Sequence, residues 1–156
     1  MAKKFWIVIF IFGVAVGFLY FWNTSSFNKL PEDIAEHIKL KSDLIILNSP
    51  KPMAEISSPL KITGEARGNW FFEASFPITL TNWDGLIIAQ HYATAKDEWM
   101  TTDFVPYEAI FEFENPYKEG DQEFMQRGYL ILHKDNPSGL PENDDALEIP
   151  VFFAPE

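Results

Sequence analysis

The sequence predicts an all-β domain, a two-sheet sandwich of about seven strands, preceded by one N-terminal transmembrane helix and a short stalk. Three observations lead there. After residue 43, apolar and polar residues alternate in several segments, most clearly at 70–80, 104–114 and 147–153. Clusters of Pro, Asn, Asp, Ser and Gly separate these segments, as turns require. Before them, Lys3-Lys4 is followed by eighteen residues, Phe5 to Trp22, without a charge.

Residues 5–22 form the expected membrane helix. At about 1.5 Å rise per residue the run spans roughly 27 Å, close to the hydrocarbon thickness of a bilayer. Its ten strongly apolar side chains supply on the order of −3 to −6 kcal/mol of insertion free energy. Phe5 and Trp6 at one end, and Tyr20 and Trp22 at the other, are rings suited to the membrane–water interface. Lys3 and Lys4 keep residues 1–4 cytoplasmic, so the remainder is extracytoplasmic. A cleaved signal peptide would carry a shorter apolar region and a small-x-small exit. Here the exit is the bulky Tyr20-Phe21-Trp22, so an uncleaved single-pass anchor is expected. Gly13 and Gly17 form a GxxxG match through which two such helices would pack as a homodimer.

Residues 23–43 read as the stalk. Asn23 to Asn28 is polar, and Pro31 to Ile38 fits a short helix with Pro in its first turn and acids near its start. Residues 44–156 then form the domain. Short strands are expected at Leu44–Leu47 and Leu60–Thr63. At Trp70–Leu80, alternation places Trp70, Phe72, Ala74, Phe76, Ile78 and Leu80 on one face and Phe71 on the other. Pro77 marks that strand as an edge or a bulge. Asn82-Trp83-Asp84-Gly85 is a turn into a strand at Leu86–Thr94. Val105, Tyr107, Ala109, Phe111 and Phe113 then point inward, with Glu108, Glu112 and Glu114 outward. Tyr129–Lys134 and Leu147–Phe153 complete the set, and Pro150 marks the last strand as an edge. The count and size fit an immunoglobulin-type sandwich, with an open barrel as the alternative.

Composition excludes several classes of function. Residues 1–22 hold two Lys and no acid, which leaves 10 basic against 23 acidic residues, a net charge of −13, in the rest. Nucleic acid and anionic lipid surfaces are therefore not expected partners. The chain has no Cys, which removes disulfides, thiolate zinc sites and thiol catalysis.

Four stretches carry a resemblance. They are Ser57-Ser58-Pro59-Leu60 with Gly64-Glu65-Ala66, then Trp70 to Pro77, then Trp99-Met100-Thr101, and finally Asp135 to Gly139 leading into Ile149-Pro150-Val151. In order and spacing they resemble the immunoglobulin-like domain of bacterial spore germination, the Gmad family, over roughly Leu44 to Phe153. The resemblance implies a bacterial, exported domain that serves as a binding or assembly module of the cell envelope, without an established catalytic residue set.

The residues themselves offer little chemistry. No HExxH, GxSxG, Walker or GxGxxG motif is present, and no cofactor is expected. His91 and His133 fall in strands that can meet across a sheet. The polar loop Asp135–Asp145 offers oxygen ligands, but Pro137 occupies the third position of an EF-hand pattern, and a proline-set turn is the simpler reading. Carboxylates on outward strand faces make poor general acids. Aromatic residues in turns or off the core face are the better lead: Trp83 first, then Trp99, Phe71 and Tyr92, as contacts to an envelope protein or a cell-wall glycan. The expectation is a non-catalytic binding module, with a structural subunit of an envelope complex as the alternative.

Overall fold

A computed structural model describes residues 30–155. The expected membrane span lies outside these residues, with Phe5, Trp6, Gly13, Gly17, Tyr20 and Trp22. Residues 1–4 and 23–29 lie outside them too. Among the described residues, no helix is long and apolar enough to cross a membrane.

Residues from Glu32 onward form one compact unit. It opens with helix α1 (Glu32–Lys41), entered from Pro31, with Glu32 and Asp33 in its first turn and Lys39 and Lys41 in its last. These charges complement the helix dipole. Within the expected stalk, this helix does not stand free but lies against the last strand. Lys41 pairs with Asp145, and the Glu148 backbone N–H donates to His37 Nε2 at 3.2 Å.

Eight strands follow: β1 (Ile45–Ser49), β2 (Glu55–Ile56), β3 (Leu60–Arg67), β4 (Ser75–Asn82), β5 (Ile87–Ala95), β6 (Phe104–Phe111), β7 (Arg127–His133) and β8 (Ala146–Phe153). Each of the seven expected strands has a counterpart, the one read at Trp70–Leu80 only from Ser75 onward, and the added one, β2, is a two-residue parallel partner of β8. The strands join in a single curled sheet of order β1-β3-β6-β5-β4-β7-β8-β2, where two separate sheets were expected, because β5 pairs with both β4 and β6 and so bridges the halves. In this order β1-β3-β6 corresponds to strands A-B-E of an immunoglobulin fold and β4-β7-β8 to C-F-G. The two halves are linked by β5, which pairs with β4 along its length but with β6 only at Thr94↔Glu108 and Ala95↔Tyr107.

The sheet curls so that the halves share one core. Ile62, Ala66, Val105, Tyr107 and Ala109 from one half meet Phe76, Ile78, Leu80, Leu130, Leu132 and Ile149 from the other. Rings lock the contact: Phe76 meets Tyr107 edge-on at 4.9 Å, and Phe113 meets Phe153 at 5.7 Å. The alternations read at 105–113 and 147–153 are inward as expected, with every apolar member buried.

Two further expectations are corrected. The stretch from Trp70 to Leu80 is not one strand. Gly68–Trp70 is a 3-10 turn, and Phe72 and Ser75 exchange backbone hydrogen bonds of 2.9 and 3.1 Å around Glu73 and Ala74. Glu73 and Ala74 have φ of 48° and 61°, the left-handed geometry of a tight hairpin turn. Trp70 and Phe71 are consequently both buried, whereas Phe72 is turned out. The second correction concerns Pro77. Strand β4 is interior, between β5 and β7, and Pro77 is tolerated because the β7 ladder begins only at Ile78.

Across β3, Gly64 leaves space for the Tyr107 ring, whose hydroxyl donates to the Ile46 carbonyl oxygen at 3.0 Å and ties β6 to β1. Burial pushes the ionisation of that hydroxyl up, so it stays protonated and remains a donor.

Candidate binding surface

The β4–β5 hairpin ends in a rigid turn. The Asn82 carboxamide oxygen accepts from the backbone N–H groups of Asp84 at 3.0 Å and Leu86 at 2.9 Å. Gly85 supplies the positive φ of 79° that the turn needs. This scaffold holds Trp83 outward, 43% exposed, with its ring edge-on to Phe124 at 4.9 Å. Phe124 comes from a 3-10 turn, Glu123–Gln126, that leads into β7, and β7 in turn pairs Gly128 with Asn82. Leu86 and Ile87, both more than half exposed, continue the patch. The result is an apolar end on an acidic domain, presented by two ordered turns.

The four aromatics chosen from sequence do not converge. Trp83 sits at one end of β5. Trp99, half-buried against the core, belongs to the β5–β6 loop at the other end. Tyr92 is exposed in mid-strand opposite Pro77. Phe71 is no surface residue at all: it is 4% exposed and meets Phe76 edge-on at 5.3 Å. Sequence reasoning missed Phe124, which lies between the strands expected at 104–114 and 129–134, and Leu86-Ile87. The available signal for the latter was Leu86-Ile87-Ile88, three apolar residues in a row, since alternation cannot bury them all.

The histidines do not meet. β4 separates β5 from β7, so His91 and His133 lie two strands apart. His91 packs on Phe111 at 5.4 Å, and His133 Nε2 lies 3.1 Å from Thr79 Oγ1. His133 also lines a groove of about 690 Å³ with His37, Lys41, Lys134, Asp145 and Glu148. Burial lowers the pKa of His133 below its usual 6.5, against an upward pull from Glu148 and Asp144. The fold therefore disfavours the imidazolium. Its stabilising contribution is complete above pH 6.5 and is lost as pH falls through the depressed folded value. The expected result is that lowering pH from 7.5 to 5.5 reduces the melting temperature more in the native chain than in His133→Gln. Equal reductions would show that His133 is not a source of the acid sensitivity.

The carboxylates are engaged or solvated. Glu108 is held between Lys61 at 2.9 Å and Lys96 at 3.4 Å. The hydrogen bonds to Lys61 and then Lys96 hold its carboxyl below the usual range, which suits an ion pair and not a proton donor. The loop from Asp135 to Asp145 is organised by its own side chains. Asn136 Nδ2 donates to the Leu140 carbonyl at 2.8 Å and to Asp144 at 2.6 Å, and Asn143 donates to Ser138 Oγ at 3.0 Å.

A family model described as Gmad2, the immunoglobulin-like domain of bacterial spore germination, matches residues 44–126, more than half of the chain. The match runs from the start of β1 through the Glu123–Gln126 turn. Searches of curated proteins and of solved structures return no match.

Proposed function

The chain belongs to the Gmad2 family, the immunoglobulin-like domains of bacterial spore germination, and from that premise we propose a membrane-anchored, extracytoplasmic binding module of the bacterial cell envelope. Family membership marks the domain as a binding or structural module. The finer reading is that it is non-catalytic, that it recognises an envelope protein or a cell-wall glycan, that it serves sporulation or germination, and that residues 5–22 hold it in the membrane. The observation that carries the binding reading is the Trp83–Phe124 pair with Leu86 and Ile87. Trp83 and Phe124 meet each other yet leave about two fifths of their surface to solvent, and Leu86 and Ile87 at the start of β5 are more than half exposed. Rings presented this way gain free energy by stacking on a sugar face or on partner side chains.

The test uses the full chain in detergent micelles, incubated with cell-wall glycan and with solubilised envelope protein. Trp83→Ala should weaken capture about thirtyfold, the roughly 2 kcal/mol of an aromatic hot spot, while the melting temperature stays within a few degrees. Capture that is equal for the native chain and for Trp83→Ala would overturn the assignment of this surface. The anchor is tested separately. Because the chain is Cys-free, a single Cys placed at Ser138 should react with a membrane-impermeant maleimide in intact cells, and one at Ala2 should not.

The second reading, a structural subunit assembled through the helix and the sheet edges, is favoured by the incomplete β5–β6 pairing. It predicts that Gly13→Ile or Gly17→Ile disrupts assembly in the membrane.

A further inference from the structure

We infer that the seam between β5 and β6 is a docking slot for an extended segment of a partner protein, which enters as an added strand with apolar residues at alternate positions and a Lys or Arg where it passes Glu112. The inference rests on the reading that the domain binds a protein, and it assigns that protein a second contact, distinct from the Trp83 surface.

The backbone defines the slot. β6 is paired to β3 over its whole length, from Leu60↔Phe111 to Arg67↔Phe104. β5 is paired to β4 from Ser75↔Thr94 to Thr81↔Ile87. The two strands meet each other only at Thr94↔Glu108 and Ala95↔Tyr107. From there they separate, so that Ile87–Ala93 and Ala109–Phe111 face one another as two strand edges with no ladder between them. The β5 edge alone extends about 20 Å at roughly 3.3 Å per residue, room for a strand of ordinary length.

These edges are unguarded, in contrast to the outer edges of the same sheet. At one border β1 is five residues long and is followed at once by Pro50; at the other β2 is two residues long. Short strands and prolines are how sheets avoid unwanted pairing. Ile87–Ala93 and Ala109–Phe111 contain neither Pro nor Lys.

The side chains shape a floor and two walls. Continued register sets His91 opposite Phe111 and Tyr92 opposite Ile110. The His91 and Phe111 rings touch at 5.4 Å and close the bottom of the seam over the core. Tyr92 and Ile110 stand above them, 58% and 53% exposed, beside a groove of about 520 Å³. A strand laid there would pair its backbone with both edges and set β-branched side chains against Tyr92 and Ile110.

Charge selects the occupant. At the closed end Glu108 is already balanced by Lys61 and Lys96. At the open end Glu112 and Glu114 are exposed and have no ion pair among the described residues. A basic residue in the added strand answers them, whereas a second copy of this domain would bring the same acids and the same net charge, −12 over residues 44–156 from 7 basic and 19 acidic residues.

The probe is a synthetic peptide of alternating valine and threonine ending in two lysines, added to the full chain in detergent micelles. Hydrogen exchange at Ile87–Ala93 and Ala109–Phe111 should slow at least tenfold at saturating peptide. Methylating alternate peptide nitrogens should abolish the protection, and Ile110→Asp should weaken binding at least tenfold. Ile110→Thr, which keeps a β-branched side chain, should bind within a few-fold of the native chain, and Trp83→Ala should leave peptide binding unchanged. No protection at millimolar peptide, or equal protection by the methylated peptide, overturns the slot. Concentration-dependent protection without peptide, reversed by Ile110→Asp, also overturns it and makes the occupant a second copy. If peptide binding fails while Trp83-dependent capture persists, the slot falls and the binding function stands.

Discussion

Gly64→Ala should lower the stability of the domain by about 3–5 kcal/mol. A Cβ at this position would collide with the Ile46 carbonyl oxygen and with the Tyr107 hydroxyl and ring carbon. The first is backbone of the neighbouring strand and cannot move without opening the β1–β3 ladder. The second is the buried end of the hydrogen bond that joins β6 to β1. Overpacking costs about 1–3 kcal/mol and loss of a buried hydrogen bond about as much again. For a domain of this size the fall in melting temperature is about 10–20 °C. Tyr107→Phe serves as the control. It loses the hydrogen bond without the overlap and should cost about 1 kcal/mol. The double variant should cost less than the sum, because removing the hydroxyl relieves part of the clash. A Gly64→Ala protein that melts within a few degrees of the native chain would mean that β1 does not sit over Tyr107 as described.

Phe71→Ala should destabilise by about 3–5 kcal/mol, the cost of truncating a buried ring. A surface position would cost within about 0.5 kcal/mol. The contrast decides between two readings of the same residue. Uninterrupted alternation from Trp70 to Leu80 puts Phe71 on the outer face, among the binding aromatics. The folded chain puts it against Phe76 in the core. Phe72→Ala is the matched comparison and should be nearly neutral, since Phe72 is 42% exposed. If both substitutions are neutral, the turn at Glu73 and Ala74 is not formed. Any loss of ligand capture in Phe71→Ala should follow its loss of folding, whereas loss in Trp83→Ala should not.

Much of the strand framework was legible because alternation is a local property. Tyr107, Phe111, Ile149 and Phe153 could be assigned to the core from their own neighbours in sequence, since a pleated strand sends successive side chains to opposite faces. The same rule failed at Trp70–Ala74. Two residues with positive φ reverse the chain there, and neither Glu nor Ala is a residue from which a left-handed turn is read. The site was legible in part. Trp83 stood out because a large ring in an Asn-Asp-Gly turn has few places to hide. Its partner Phe124 did not, because the contact joins residues 41 apart in sequence, through the β4–β7 pairing.

By itself the sequence determined the class of the domain, its acidity, its freedom from cysteine chemistry and the strands that build it, since each follows from composition or from a period of two. Tertiary structure alone decided which neighbours those strands took. It docked α1 on β8 through Lys41 and His37, set Tyr107 over Gly64, separated His91 from His133 by a strand, and left β5 and β6 joined at only two residue pairs. These outcomes depend on contacts between residues far apart in the chain. Their free energies balance over the whole core, and no local pattern records that balance.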